Sequence, residues 1–335
     1  MSPLLEINGL RVAAGLVPRA VVDGVSLRVS AGSTLGLVGE SGSGKSLTAK
    51  AVLGLLPPTC RVEGGSIRVD GTELLSLSAK QMNAFRGTTV SLIPQNAVTS
   101  LNPLMSVGRQ IGMVLMNRGL SRQAAKLRTV ELLAELSLPD PEAMIKRYPH
   151  ELSGGTAQRV VAAAALAANP RLLIADEPTS SIDPVAQLQF LKLLGSIQSR
   201  RELGIVLITH DIGIVARACD EVVVMYAGRV MESGEVHDVL GRPQHPYTRA
   251  LLESAPTRGH SQSLVPIPGQ PMSGGIVGDA CPFAARCGAV FERCRVKAPP
   301  MFDVSPGHLS SCWLLSKGDP TDPLVESSLA SAGFA

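Results

Sequence analysis

The chain has 335 residues, 45% of them hydrophobic, which is enough for a large α/β domain with appendages or for two or three structural units. The formal net charge is only +3 and 3% of the residues are aromatic, so neither a basic nor a base-stacking surface for nucleic acid is indicated. No apolar run reaches the length of a membrane span, and the first residues do not fit a signal peptide. We therefore expect a cytosolic chain that reaches a membrane only through partner proteins.

Short stretches near the N-terminus alternate apolar and polar residues, at 4–7, 21–29 and 66–72. The last of them ends in an Asp-Gly pair, which is typical of a tight hairpin turn. These stretches predict a small antiparallel sheet.

A glycine-rich loop at residues 39–46 matches the phosphate-binding pattern G-x-x-x-x-G-K-[ST], between an apolar run at 35–38 and a predicted helix at 47–53. Backbone N–H groups of such a loop surround phosphate oxygens, and the helix dipole adds to the attraction. Lys45 would reach the β- and γ-phosphates, and the Ser46 hydroxyl would bind Mg²⁺. The candidate nucleotide-binding residues here are Gly39, Ser41, Gly42, Ser43, Gly44, Lys45, Ser46 and Leu47.

Residues 106–138 have helical periodicity, with Leu127, Val130, Leu133 and Leu136 among the apolar positions. They predict a helical insertion between two strands. The insertion closes at Ser153, which is the expected N-cap of an Ala-rich helix at 158–168.

Further apolar runs predict buried parallel strands that join the run at 35–38, namely 90–93, 172–175, 205–208 and 222–225. Asp176 and Glu177 follow one of them, at the strand end where an open α/β sheet binds its ligand. Asp176 is expected to hold Mg²⁺ and Glu177 to polarise the attacking water. His210 also follows a buried strand, where it can contact a γ-phosphate or orient that water.

Four cysteines near the C-terminus, Cys281, Cys287, Cys294 and Cys312, lie in a proline-bearing, loop-rich segment. Their spacing, C-x5-C-x6-C-x17-C, is not that of common zinc ribbons. Four thiolates suit a [4Fe–4S] cluster or Zn²⁺, and free or disulfide-bonded cysteines are the remaining interpretation. Residues 316–335 are expected to form a mobile tail.

Taken together, the motifs resemble those of ATP-binding-cassette (ABC) ATPases. Residues 152–159 are similar to the family's signature motif, and residues 176–183 to its Walker B end and D-loop. Gln95 falls at the Q-loop glutamine and His210 at the switch histidine. The resemblance implies an α/β P-loop NTPase cassette, with a parallel-sheet core, an antiparallel β subdomain and an α-helical insertion, that binds and hydrolyses ATP with Mg²⁺.

The resemblance also implies roles and boundaries. The cassette would cover residues 1–240, with the helical insertion at about 100–155. Gln95 would bind Mg²⁺, take part in catalysis and relay the nucleotide state to membrane partners. Two cassettes pair head to tail in the family, as a homodimer or a heterodimer. Each cassette would present Ser153, Gly154 and Gly155 to the γ-phosphate held by the other subunit.

A narrower resemblance, to the peptide/nickel importer branch, rests on residues 99–108 and 245–252. It implies a C-terminal extension at 241–315, in which some members carry an iron–sulfur cluster. It further implies two transmembrane permease subunits, an extracytoplasmic solute-binding protein, and a peripheral position at the cytoplasmic face of the membrane. The expected cargo is a di- or oligopeptide, with nickel or another small solute as the alternative, because the cassette does not touch cargo.

Two other classes of protein fit less well. A soluble ABC ATPase that acts on ribosomes or DNA usually has two cassettes in one chain or a long coiled-coil insertion, and this chain has neither. An iron–sulfur redox protein would leave the ATP motifs unexplained.

The sequence departs from the ABC ATPase pattern at the position that contacts adenine, because the family usually stacks an aromatic residue on adenine about where Ala14 stands. Adenine is therefore expected to rest on aliphatic groups such as Val12 or Val17, or on a partner subunit.

Overall fold

The computed structural model describes residues 3–15, 19–180, 182–255, 266–270, 272 and 279–316. The strands in these ranges are β1 Leu5–Ala14, β2 Arg19–Val29, β3 Thr34–Val38, β4 Cys60–Val69, β5 Thr72–Glu73, β6 Val90–Ile93, β7 Leu172–Asp176, β8 Gly204–Thr209, β9 Glu221–Tyr226, β10 Arg229–Glu235, β11 Phe302–Ser305 and β12 His308–Ser310. The helices are α1 Lys45–Val52, α2 Ala79–Phe85, α3 Ala97–Ser100, α4 Val107–Met116, α5 Arg122–Glu135, α6 Pro141–Met144, α7 Gly154–Leu166, α8 Pro184–Arg201, α9 Ile212–Ala218, α10 Val236–Gly241, α11 Pro246–Glu253 and α12 Glu292–Val296. Short 3₁₀ turns lie at Pro149–Glu151 and Trp313–Leu315.

The larger sheet has eight strands in the order β11-β12-β10-β9-β3-β8-β7-β6. The five strands from β9 to β6 run parallel to one another, as the apolar runs in the sequence predict. Every residue of β3 and of β8 is buried. Helix α9 packs against one face of β3, and α1 with the smaller sheet packs against the other. The predicted α/β core is confirmed.

The smaller sheet has four antiparallel strands in the order β2-β1-β4-β5, which confirms the predicted antiparallel subdomain. Asp70 and Gly71 join β4 to β5 with φ angles of 51° and 75°. A two-residue hairpin turn of type I′ needs positive φ at both central residues, and an Asp-Gly pair adopts this conformation readily.

The helical insertion between β6 and β7 consists of α3 to α6, and α7 begins where Ser153 accepts a hydrogen bond from the backbone N–H of Thr156. The predicted cap is confirmed, although the helix starts four residues earlier than expected. Leu127 is 61% exposed, whereas Leu133 and Leu136 are buried. Apolar residues spaced strictly three apart drift around a helix of 3.6 residues per turn, so they do not all face the same core.

The segment after residue 240 is joined to the cassette by backbone pairing that the sequence did not predict. Strand β12 pairs with β10, and β11 pairs with β12, so a C-terminal hairpin extends the main sheet. One apolar cluster contains Val224 and Tyr226 of β9 together with Tyr247 and Phe283. The rings of Tyr226 and Phe283 meet edge to face, with centroids 5.3 Å apart.

The buried carboxylate of Glu232 in β10 links the segment after residue 240 to the main sheet. Its side chain accepts hydrogen bonds from the backbone N–H groups of Gln244 at 2.7 Å and His245 at 3.0 Å. Its Oε1 also lies 2.8 Å from Nε2 of His308 in β12. Three separate parts of the chain therefore meet at one carboxylate that has no exposed surface.

In the described ranges no helix is long and apolar enough to cross a membrane. The expected mobile tail lies outside the described residues from 317 onward, as does Val17.

Replacing Glu232 with alanine should lower the free energy of unfolding by about 3 kcal/mol, because two backbone N–H groups and the buried His308 lose their acceptor. Thermal unfolding of the full chain measures this change. Asp238→Ala is the matched control, since Asp238 is exposed and stands 3.9 Å from the exposed His237. The control should change the free energy by less than about 1 kcal/mol. Equal unfolding temperatures for the two variants would contradict the prediction.

Candidate active site

The loop at residues 39–46 connects the buried end of β3 to the first turn of α1. Gly39 has φ 148°, and a Cβ on it would stand 2.0 Å from the carbonyl oxygen of Met225. Gly44 has φ 96° immediately before α1, a left-handed conformation that side chains disfavour. Close packing at one end and backbone conformation at the other thus require the first and last glycines of the loop.

Lys45 places a buried cation inside this loop. Its Nζ donates to the carbonyl oxygens of Gly39 at 2.7 Å and Glu40 at 2.8 Å, and to Oγ of Ser43 at 3.2 Å. Burial lowers the pKa of Lys45, and the carboxylates of Glu177, Asp176 and Glu40 act in the opposite direction. The ammonium group is held among oxygen acceptors, where it can also meet phosphate oxygens.

The rest of the predicted loop divides into an open and a buried part. Ser41 and Gly42 are exposed, whereas Ser43 and Gly44 are buried, and Leu47 packs half-buried on the core beneath α1. Residues 41–42 therefore form the side of the loop that faces solvent.

Ser46 and Asp176 form a pair of oxygen groups across the sheet edge. The Ser46 hydroxyl donates to Oδ1 of Asp176 at 3.0 Å. Burial raises the pKa of the Asp176 carboxyl, and the hydrogen bond from Ser46 partly offsets this by favouring the charged form. A hydroxyl and a carboxylate in contact are the kind of ligands that Mg²⁺ prefers, so these two residues suit the predicted metal.

Glu177 lies at the centre of the remaining predicted residues. Gln95 donates its Nε2–H to Oε2 of Glu177 at 3.0 Å, and Nδ1 of His210 stands 3.2 Å from Oε1. The backbone of Glu177 is left-handed, with φ 45°, and its N–H donates to the carbonyl of Ile208 in β8. A non-glycine residue in this conformation is held by its surroundings, as is frequent at functional sites.

The signature residues are not brought to the loop within one chain. Ser153, Gly154 and Gly155 line a cavity of about 310 Å³ together with Asp183, and none of residues 39–47 lines it. Asp183 caps α8 by accepting from the N–H groups of Val185 and Ala186. The cavity therefore combines the N-terminal ends of α7 and α8, which are favourable positions for an anion.

The expectation that adenine rests on Val12 is wrong. Val12 has no exposed surface and belongs to the core of the smaller sheet, so it cannot rest against adenine. Its partners across the sheet are Val22 and Val62.

The four C-terminal cysteines surround one small cavity of about 20 Å³, next to Phe283 and Trp313. All six cysteines lie in the described ranges and none forms a disulfide. Burial raises the pKa of Cys281 to about 11 and that of Cys312 to about 12. No group of three or more His, Cys, Asp or Glu side chains in the described residues is arranged to hold a metal ion. The four cysteines therefore share a cavity, but the described residues contain no formed ligand set for the predicted metal centre.

The sequence did not indicate two residues of the C-terminal segment that act on the loop. Arg286 pairs with the Glu40 carboxylate through both terminal nitrogens, at 2.5 and 3.0 Å. The hydroxyl of Tyr247 accepts from the backbone N–H of Glu40 at 2.9 Å. Tyr247 lies in the stretch that resembles the importer branch, but nothing in that pattern pointed to a contact with residue 40.

Residues 22–180 match the family described as ABC transporter, and residues 231–294 match the family described as oligopeptide/dipeptide transporter, C-terminal region. The oligopeptide transport ATP-binding protein OppD of Bacillus subtilis is 44% identical over 331 residues, which cover 96% of this chain and 91% of that protein. A probable peptide ABC transporter ATP-binding protein of Sinorhizobium fredii is 44% identical over 300 residues, covering 87% of this chain and 88% of its own.

The structure of cbiO1 from Clostridium perfringens, part of the ABC transporter complex cbiONQ, aligns with a TM-score of 0.64 at 26% identity. The alignment covers 72% of this chain and 92% of cbiO1. The fold and the family resemblance predicted from the motifs are confirmed. The chain therefore belongs to the ABC transporter ATP-binding proteins of the oligopeptide/dipeptide type, with an ATPase cassette followed by the C-terminal region of that branch.

Proposed function

We propose that this chain binds and hydrolyses ATP to power a membrane importer of di- or oligopeptides. The observation that carries the proposal is the placement of the Glu177 carboxylate between Gln95 and His210, beside the Ser46–Asp176 pair and the buried Lys45. The relatives named above for peptide transport support the choice of cargo over nickel.

The roles of the residues follow from their contacts. Lys45 and the N–H groups of residues 39–47 bind the phosphates. Ser46 and Asp176, with Gln95 nearby, would hold Mg²⁺, which supplies charge neutralisation to the phosphates when it is bound. Glu177 polarises the attacking water, and its bonds to Gln95 and His210 orient the carboxylate.

A second cassette, identical or homologous, completes the site. In support, residues 153–155 line a cavity of their own, away from the loop of the same chain. The first N–H groups of α7 have no acceptor within the helix and suit a γ-phosphate presented by a partner. The pair would therefore close on ATP and open after hydrolysis.

The partners at the membrane would be two transmembrane permease subunits, docked on the cytoplasmic side beside the helical insertion. A cleft of about 700 Å³ opens there, with Leu101, Gln110 and Val114 in its lining. Leu104, which is 84% exposed, stands nearby in the chain as an apolar contact for a partner. Gln95 lies in an adjoining cavity with Asp176, so it can relay the nucleotide state to that surface. A solute-binding protein on the other side of the membrane would deliver the cargo.

The cargo is tested by transport in vesicles that contain the assembled importer. ATP-dependent uptake of di- and oligopeptides, with no uptake of Ni²⁺, is the expected result. Uptake of Ni²⁺ and not of peptides would reject peptide as the cargo and keep the ATPase role.

Glu177→Gln should lower ATP turnover in the assembled importer by about a thousandfold or more while ATP still binds, because an amide cannot take the proton of the attacking water. Steady-state ATPase rates and nucleotide titrations measure the two effects. Glu202→Gln, which removes an exposed carboxylate, is the control and should hydrolyse ATP at the normal rate. A normal rate in the Glu177 variant would exclude this residue as the base.

Lys45→Ala should weaken MgATP binding by about a hundredfold, because a buried cation among phosphate-facing groups is lost. The affinity can be measured by calorimetric titration of the full chain. Lys80→Ala, which removes an exposed lysine from α2, is the control. Unchanged affinity after the Lys45 substitution would overturn its assignment to the phosphates.

We also propose that Cys281, Cys287, Cys294 and Cys312 hold a metal centre. The support is that four thiols, the ligands preferred by Zn²⁺ and by iron–sulfur clusters, line a single buried cavity. The cavity has about the size of one water molecule, so a [4Fe–4S] cluster would require the side chains to move apart.

Metal analysis of protein purified without oxygen decides between the two. About four iron atoms per chain with visible absorbance would indicate the cluster, and about one zinc would indicate a zinc site. Either metal should disappear in Cys287→Ser and persist in the control Cys219→Ser, which lies outside the cavity. Protein without either metal would reject the proposal.

A further inference from the structure

A buried arginine of the C-terminal extension holds an acidic residue of the phosphate-binding loop. The side chain of Arg286 is only 5% exposed, and its two terminal nitrogens reach the two carboxylate oxygens of Glu40 at 2.5 and 3.0 Å. Paired contacts of this kind are the strongest and most directional ion pairs in proteins. The two residues are 246 positions apart in sequence, so the contact exists only when the extension is folded onto the cassette.

The arginine is itself fixed on its other sides. Its Nε–H donates to the carbonyl of Pro268 at 2.8 Å, and Nη1 donates to the hydroxyl of Tyr226 at 3.3 Å. The guanidinium carbon lies 5.6 Å from the ring centre of Tyr226 and 6.0 Å from that of Phe283. With its position set by these groups, Arg286 determines where the Glu40 carboxylate can lie.

The extension also holds the backbone of the same loop residue. The N–H of Glu40 donates to the hydroxyl of Tyr247, whose side chain is buried against Tyr226 and Phe283. The carbonyl of Glu40 accepts from Nζ of Lys45. Glu40 therefore links the extension, through its N–H and carboxylate, to the lysine that faces the phosphates.

This link matters for nucleotide binding because Glu40 carries a negative charge. An unpaired carboxylate in a phosphate-binding loop repels a nucleotide triphosphate and competes for Lys45. We propose that Arg286 is a positioning residue for nucleotide binding: it neutralises Glu40 and holds it away from the phosphates, so that full ATP affinity requires the C-terminal extension. The proposal rests on the assignment of residues 39–46 to the phosphates of ATP.

The test compares MgATP affinities of full-length variants by calorimetric titration. Arg286→Gln should weaken binding about tenfold or more, because the Glu40 charge is left unpaired. Adding Glu40→Gln to that variant should return the affinity to within about threefold of the wild type, since no charge then remains to repel the phosphates. A purely structural role for Arg286 would not produce this recovery.

Arg295→Gln is the matched control, because it removes the same charge from an exposed position of the same extension. It should leave the affinity within about twofold of the wild type. Thermal unfolding of each variant verifies that it is folded. If Arg286→Gln does not fold, Arg286→Lys tests the proposal in its place. Lysine keeps the positive charge but loses the paired contact with Glu40, so about threefold weaker MgATP binding is expected.

Affinity of the Arg286 variants within twofold of the wild type would overturn the proposal, and so would weak binding that Glu40→Gln does not recover. Lys45→Ala, measured in parallel, separates this failure from that of the underlying assignment. Should Lys45→Ala bind MgATP as well as the wild type, the phosphate site itself would be wrong. Should only Lys45→Ala lose affinity, the phosphate site stands and the role of Arg286 fails.

Discussion

The order of the parallel strands is the constraint on which the site depends. Strands β3, β8 and β7 are neighbours and run the same way, so the residues that follow them lie at one edge of the sheet. Lys45 follows β3, His210 follows β8 and Glu177 follows β7, and they meet although long stretches of chain separate them. Gln95 arrives from β6 on the outer side of β7. The clustering of these groups is thus a property of strand order, which a point change in a loop does not alter.

The same edge concentrates negative charge, and the fold gives each carboxylate a donor of its own. Asp176 accepts from Ser46, Glu177 accepts from Gln95, and Glu40 accepts from Arg286. The carboxylate oxygens near the ammonium of Lys45 therefore already accept hydrogen bonds from other side chains. A loop meant for an anionic ligand tolerates nearby acids only under this condition, because unpaired carboxylates would repel the phosphates.

The sequence predicted what local chemistry determines. Runs of Val, Ile and Leu indicated the buried parallel strands, the Asp70-Gly71 pair indicated a hairpin, and the glycine pattern of residues 39–46 indicated the loop. The hairpin of β11 and β12 was not predicted because it is short and polar on one side. It is held to β10 by the contact of His308 with Glu232, which lies far away in the sequence. The pairing of Arg286 with Glu40 escaped as well, since neither periodicity nor motif spacing indicates which distant charge a given arginine will meet.

The extension therefore contacts the phosphate-binding loop directly, even though every motif of the cassette precedes it. A chain cut at residue 240 would retain residues 39–46, Asp176 and Glu177 and would lose both groups that hold Glu40, the Tyr247 hydroxyl and the Arg286 guanidinium. Arg286 also directly precedes Cys287, one of the four thiols that share a cavity. Phe283 lines the same cavity and packs against Tyr226, so the order of the cysteine segment affects where the guanidinium lies and, through it, where the Glu40 carboxylate lies.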